Sequence, residues 1–150
     1  MSGIYNRAKK QWLAGELDLD GHTIKAMLVD DAYVYNPDHN FVSNVSGDEV
    51  SGTGYTGGFA GSGRKTLGSP VVAQDDSANR GYFDAADVTW TGINVGLVGA
   101  IILYRSVSTD ADSPLIAHID TGATFPITTN GGDLVVQWST SPLGILQLTG

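Results

Sequence analysis

From Val98 to Trp138 the apolar residues gather in short runs separated by polar turns, and this stretch organises the rest of the chain. Val98 to Tyr104 is an unbroken apolar run rich in β-branched and aromatic residues, too short for a globular helix. It predicts a strand covered on both faces, closed by the polar residues Ser106 to Ser113. In Leu115 to Asp120 the pattern places Leu115, Ala117 and Ile119 on one face and Ile116, His118 and Asp120 on the other, with His118 expected on the less buried side. Phe125–Thr129 and Leu134–Trp138 flank Asn130, Gly131 and Gly132. Asn and Gly tolerate the positive φ of tight hairpin turns, so the two segments are expected to pair and complete a β-meander. Leu134, Val136 and Trp138 share the face expected to be buried. The wider apolar run, Val95 to Leu103, is read either as a central strand or as one that partly faces a neighbouring subunit.

Upstream, the period changes. Ile4, Tyr5, Ala8 and Trp12 recur at helical spacing, with Arg7, Lys9, Lys10 and Gln11 off the stripe. A helix of about three turns is expected within residues 1–15, capped by Ser2 and ended by Gly15. Such a helix is marginal alone and must dock on its own sheet or on a partner, and loss of residues 1–15 is expected to leave the β-domain folded. Thr23 to Val29 reads as a strand, and His39 to Val45 as a single helical turn with Phe41 and Val42 tucked in. Residues 46–68 are rich in Gly, Ser and Thr, with Tyr55 and Phe59 interleaved. They are expected to form a mobile loop or an arm ordered by a neighbour. Pro70 to Val72 reads as an edge segment. Arg80–Asp84 and Asp87–Thr91 read as a strand pair, or as one strand with a bulge near Ala85, and Ile145 to Leu148 as a closing strand. Without an internal repeat or dividing linker, residues 1–150 read as a single β-rich domain. The class is mainly β, a β-sandwich or jelly-roll-like domain with a short N-terminal α-helix.

Charge sharpens this picture. The net charge is −8, yet Arg7, Lys9 and Lys10 meet only Glu16 among the first sixteen residues. Residues 17–150 therefore hold five basic and fifteen acidic side chains, a net of −10. A body this acidic repels phosphate backbones, so nucleic-acid binding is not expected. There is no cysteine, which rules out disulfides and thiolate metal sites. No apolar segment approaches the ~20 residues of a membrane span, and the N-terminus has no apolar signal core, so neither membrane insertion nor export is expected.

Candidate chemistry is sparse. Asp120-Thr121-Gly122 looks like the active-site turn of retroviral-type aspartic proteases, but that chemistry needs two carboxylates and a glycine-rich flap downstream. A turn after a strand accounts for it. Gly58 to Thr66 echoes a phosphate-binding loop, but Arg64 interrupts the Gly-Lys-Thr pattern, and Gly68 and Pro70 forbid the following helix. Glu16, Asp18, Asp20 and Gly21 alternate as in a calcium loop, but Met27 stands where the bidentate carboxylate belongs, so a surface turn is expected. His22, His39 and His118 have no ligand spacing. No catalytic, cofactor-binding or metal-binding residue is assigned, and no enzymatic activity is expected.

The segments Tyr5–Leu13, Thr23–Asp30, His39–Val45, Phe83–Val88, Ala100–Tyr104, Leu115–Gly122 and Phe125–Asp133, in that order, resemble small acidic virion structural proteins of tailed bacteriophages. The similarity covers nearly the whole chain and is strongest from Phe83 to Trp138, with residues 51–68 the least familiar. It implies a capsid decoration (cement) protein on the virion exterior, bound to the major capsid protein and to itself as a homotrimer. The basic, aromatic helix and the Gly-rich arm are then the expected clamps, through Tyr5, Arg7, Lys9, Lys10, Trp12, Tyr55 and Phe59. A tail or head–tail junction station is the alternative. A carbohydrate- or receptor-binding module, stacking ligand on Tyr55, Tyr82, Trp90 or Trp138, is a further one.

Overall fold

The computed structural model describes residues 2–121, 125–139 and 144–150. The chain opens with β1 (Gly3–Ile4), α1 (Asn6–Leu13) and β2 (Ile24–Val29), followed by two 3₁₀ turns at Val42–Asn44 and Ser46–Asp48. Then come β3 (Lys65–Thr66), β4 (Val71–Asp75), β5 (Arg80–Asp84), β6 (Val88–Trp90) and β7 (Leu97–Val98). The last strands are β8 (Ala100–Arg105), β9 (Leu115–Ile119), β10 (Ile127–Thr128), β11 (Leu134–Val136) and β12 (Leu146–Thr149). The chain is thus mainly β with one N-terminal helix, as the sequence pattern predicts.

Five strands in the order β1-β9-β8-β2-β3 make the largest sheet, all antiparallel. Its centre is the β2–β8 pair, in register from Ile24 opposite Arg105 to Val29 opposite Ala100. Both faces are buried. Ala26, Leu28, Ile101 and Leu103 enter one apolar cluster, and Met27, Val29, Ala100, Ile102 and Tyr104 the other. Ala100–Tyr104 are therefore an ordinary central strand covered by their own chain, whereas Val98, before Gly99, pairs with β10 in a smaller sheet and Leu97 is 40% exposed. A register shift faces Leu103 with Ala117 but Tyr104 with Leu115, so Ile116 is the extra residue. Ile116 and Ala117 then point the same way, as a bulge requires, into the first cluster. His118, opposite Ile102, falls on the second face. It is 3% exposed rather than on a less buried side, because loop residues Tyr33 and Tyr35 cover it.

Over the first cluster lie the smaller sheets β12-β5-β4, β10-β7 and β11-β6. They contribute Phe83, Val88, Trp90, Val98, Leu134 and Leu146 to that cluster. Here the meander expectation fails. The turn at Asn130–Gly132 forms, with Gly131 at φ +91° and Gly132 N–H donating to Asn130 Oδ1. Its tip, however, is bonded to Ile93 at 2.8 and 2.9 Å. Pinned there, its two arms diverge, β10 to β7 and β11 to β6. Arg80–Asp84 and Asp87–Thr91 are likewise not a pair: β5 lies between β4 and β12, and β6 pairs with β11.

Ser2 does not cap the helix. Its hydroxyl donates to Asp120 Oδ1 and accepts the N–H groups of Asp120 and Thr121, each at 3.0 Å. Gly3 and Ile4 are drawn into the sheet opposite His118 and Ala117, so the chain stays extended until Tyr5, which takes the N-cap position. Gly15, at φ +70°, follows the helix end as expected. Tyr5 and Ala8 enter the second and first clusters respectively. The helix therefore docks on its own sheet and is part of the core, not a separable appendage.

The Gly-rich segment is neither a free loop nor an arm awaiting a neighbour. Val50, Tyr55 and Leu67 enter the first cluster. Tyr55 Oη accepts from Leu28 N–H at 3.1 Å and donates to Glu49 Oε1 at 2.9 Å. Trp90 Nε1–H donates to the Gly63 carbonyl at 2.6 Å, and a Cβ on Gly63 would stand 2.4 Å from the Tyr55 ring. Arg64 Nε and Nη2 donate to Glu49 at 2.8 and 2.7 Å, and Nη1 and Nη2 to Asp110. The Arg64 side chain is 1% exposed. Burial alone pulls its guanidinium down, but the bonds to Glu49 and Asp110 outweigh it and keep the charge on. Burial, then the Glu49 charge, push Tyr55 up.

Replacing Arg64 by Met is expected to cost about 3–5 kcal/mol, because Glu49 is left buried without its cation. Tyr55→Phe removes one hydroxyl from the same network and is expected to cost about 1–3 kcal/mol. Urea denaturation of the purified variants measures both.

Candidate functional site

Period-2 alternation decides what the β12-β5-β4 sheet presents. Val72, Phe83 and Leu146 stand in one cross-strand row, and Gln74, Gly81 and Leu148 in the next row on the same face. Phe83 and Leu146 are buried, while Val72 and Leu148 are 51% and 60% exposed. The sheet thus overhangs the core. Opposite the overhang, Leu17 and Leu19 turn inward while Asp18 and Asp20 turn outward, and Trp12 closes the end. Together these residues line an open groove of about 290 Å³. Its inner surface is apolar, and its rim carries Asp18 and Asp20. Asp18 Oδ1 accepts the Gly21 N–H at 2.9 Å, which holds the carboxylate at the rim.

Beside the groove lies the outward side of α1. Lys9 and Lys10 are exposed there, Lys10 Nζ bonding Glu16 at 2.9 Å, and Leu13 is 92% exposed. A fully exposed leucine next to a half-buried tryptophan extends the uncovered apolar surface beyond the groove.

Of the residues expected to grip a partner, Lys9, Lys10 and Trp12 come together here. Arg7 is half-buried, its guanidinium 4.4 Å over the Phe41 ring. Phe59 stands half-buried in the Gly-rich segment. Tyr5 and Tyr55 are corrections to the expected set: at 0% and 1% exposure both are core residues and cannot reach a partner. Trp90, fully buried, cannot stack a sugar either, and Trp138 Nε1–H is tied to the Ala86 carbonyl. Leu13, Leu17, Leu19, Val72 and Leu148 were not marked by the sequence. The Leu-Asp-Leu-Asp alternation at 17–20 is a local signal that could have marked Leu17 and Leu19.

The motif-like stretches resolve structurally. Asp120 is tied to Ser2, and Gly122 lies outside the described residues. Arg64, the residue that interrupts the phosphate-loop pattern, anchors the buried ion network. Asp18 accepts the Gly21 N–H, and Asp18 N–H donates to His22 Nδ1, which makes the 16–22 stretch a surface turn. Among the described residues no group of three His, Cys, Asp or Glu is placed to hold a metal, and no helix is long and apolar enough to cross a membrane. No protein-family model matches the chain, and no curated protein or solved structure is significantly similar to it.

Val72→Asp and Leu148→Asp are expected to leave stability within about 0.5 kcal/mol, as for other surface positions, whereas Phe83→Ala is expected to cost about 3–5 kcal/mol. A neutral apolar dye such as Nile red is expected to brighten with the parent protein and to lose that response in Leu148→Asp. Denaturation curves and dye titration check the two halves.

Proposed function

We propose that the chain is a non-enzymatic structural protein of a tailed-phage virion, a capsid decoration protein that binds the outer shell and stabilises it. The observation that carries this reading is the acid-rimmed groove and its continuation over Trp12 and Leu13. An apolar surface left uncovered on a small, strongly acidic body is what a docking protein presents. The resemblance of the chain to phage virion proteins supports the same assignment. The shell segment that fills the groove is apolar with basic flanks, matching Asp18 and Asp20. Its binding energy exists only in the assembled lattice and stabilises it by mass action. The protein acts as a homo-oligomer, a trimer on the capsid exterior, where several copies held together multiply a modest contact into avidity. No membrane or nucleic acid takes part.

Because Tyr5 and β1 belong to the core, truncating residues 1–15 is a test of folding rather than of docking. Point changes on the outward surface separate the two. Purified protein is expected to co-sediment with undecorated particles, and Val72→Asp combined with Leu148→Asp to lower that binding roughly tenfold or more while the fold persists. Reconstruction of the virion is expected to show density for the chain in threes on the outer shell. Rings around the tail or portal axis would replace this reading with a head–tail junction component.

A further inference from the structure

On the face of the five-stranded sheet away from the groove, the loop between β2 and the first 3₁₀ turn folds back over His118. The result is an open depression of about 510 Å³ lined by Asp31, Tyr33, Val34, Tyr35, His118 and Asp120, among others. That size lies within the roughly 300–1,000 Å³ of small-ligand sites. Its aromatic side chains are locked. The Tyr35 ring stacks on His118 at 5.1 Å and 26°, meets the Tyr5 ring edge at 5.2 Å, and donates its hydroxyl to the Ile4 carbonyl at 3.0 Å. Tyr33 Oη sits 3.0 Å from both Tyr5 Oη and His39 Nδ1, with its ring 5.7 Å from His118 at 46°. Burial raises all three phenols, so they are uncharged at neutral pH. With both hydroxyls committed inside the protein, Tyr33 and Tyr35 offer the depression ring surface rather than hydrogen bonds. The polar groups at its border are carboxylates: Asp31, which is exposed, and Asp120, which accepts the Ser2 hydroxyl. Among the described residues, no lysine or arginine lines it.

We infer that this depression is a binding site for a neutral sugar ring of a glycan. A pyranose has an apolar C–H face and a girdle of hydroxyls, and each finds its match. The half-exposed phenol rings take the face, and the carboxylates accept hydroxyl protons in charge-assisted bonds. Anionic ligands are disfavoured, since two carboxylates on an acidic body repel phosphate, sulfate or uronate. A quaternary ammonium asks for ring faces gathered around it. Here Tyr33 and Tyr35 each meet the one imidazole, at 46° and 26° to it, in a depression that is open rather than enclosed. Binding needs little reordering because the rings are already held. This site is independent of the docking groove, which borders the other apolar cluster. A particle-bound copy with its groove occupied would still have the depression free.

The test is saturation-transfer NMR on the purified chain with the methyl glycosides of glucose, galactose and mannose, with N-acetylglucosamine, and with tetramethylammonium as the cationic competitor. At least one sugar is expected to bind saturably, and Asp31→Ala, at an exposed position, to weaken it roughly tenfold while leaving the fold intact. Tyr35→Leu, checked for folding by circular dichroism, is expected to abolish it. Failure of all four sugars, sugar binding insensitive to both substitutions, or binding of tetramethylammonium alone would each overturn the inference. None of these outcomes bears on particle binding, which is measured separately.

Discussion

A guanidinium with its side chain 1% exposed is the constraint on which much of this fold depends. Arg64 cannot shed its charge, so the chain must bring carboxylates to it. Glu49 comes from the end of the second 3₁₀ turn and Asp110 from the β8–β9 connection. Three segments far apart in sequence are thereby tied at one point, under the Tyr104 ring 5.5 Å away. Around that point the Gly-rich segment is drawn inward. Tyr55 reaches Glu49 and the Leu28 amide, Gly63 gives up its carbonyl to Trp90, and the close approach of Tyr55 leaves position 63 to glycine. A buried ion network of this kind adds little net stability over an apolar equivalent. What it does is make one arrangement of a glycine-rich chain much better than its alternatives.

That constraint also marks where the sequence was legible and where it was not. Ile24–Val29, Ala100–Arg105 and Leu115–Ile119 were readable as strands because their apolar runs are local and their β-branched content is high. The edge position of Val71–Asp75 was readable from Pro70. Residues 46–68 were not, because composition registers glycine and serine but not a long-range partner for Arg64. The hairpin expected around Gly131 failed for a related reason. The turn chemistry was right, but pairing was decided by Ile93, some forty residues away in the chain, which holds the turn tip and sends its arms to different strands. Ser2 had the residue type of a helix cap, yet Asp120 and Thr121 offered its hydroxyl four partners and the sheet edge claimed Gly3 and Ile4.

The candidate surface was half legible. Lys9, Lys10 and Trp12 were all expected to grip a partner, and the two exposed lysines do lie near the half-buried Trp12 on the helix. Tyr5 and Tyr55 were misassigned because an aromatic in a polar setting reads the same whether it faces a partner or its own core. Val72 and Leu148 could not be found locally, since neither is unusual until the register of β4, β5 and β12 puts them on one face beyond the edge of the core.

How such a surface stays free in solution follows from its borders. β4 is a sheet edge, and an edge with exposed valines invites pairing with another copy. It is only five residues long, begins after Pro70, and ends at Asp75, with Asp76 next in the chain. The groove beside it is rimmed by Asp18 and Asp20 on a chain whose net charge is −8. A second copy approaching that groove brings the same charge and is repelled over the distance that salt allows, about 8 Å at physiological ionic strength. A basic apolar segment is attracted over the same distance and then buries Val72 and Leu148. Charge at these borders therefore disfavours a second copy and favours a basic apolar segment before any apolar contact forms.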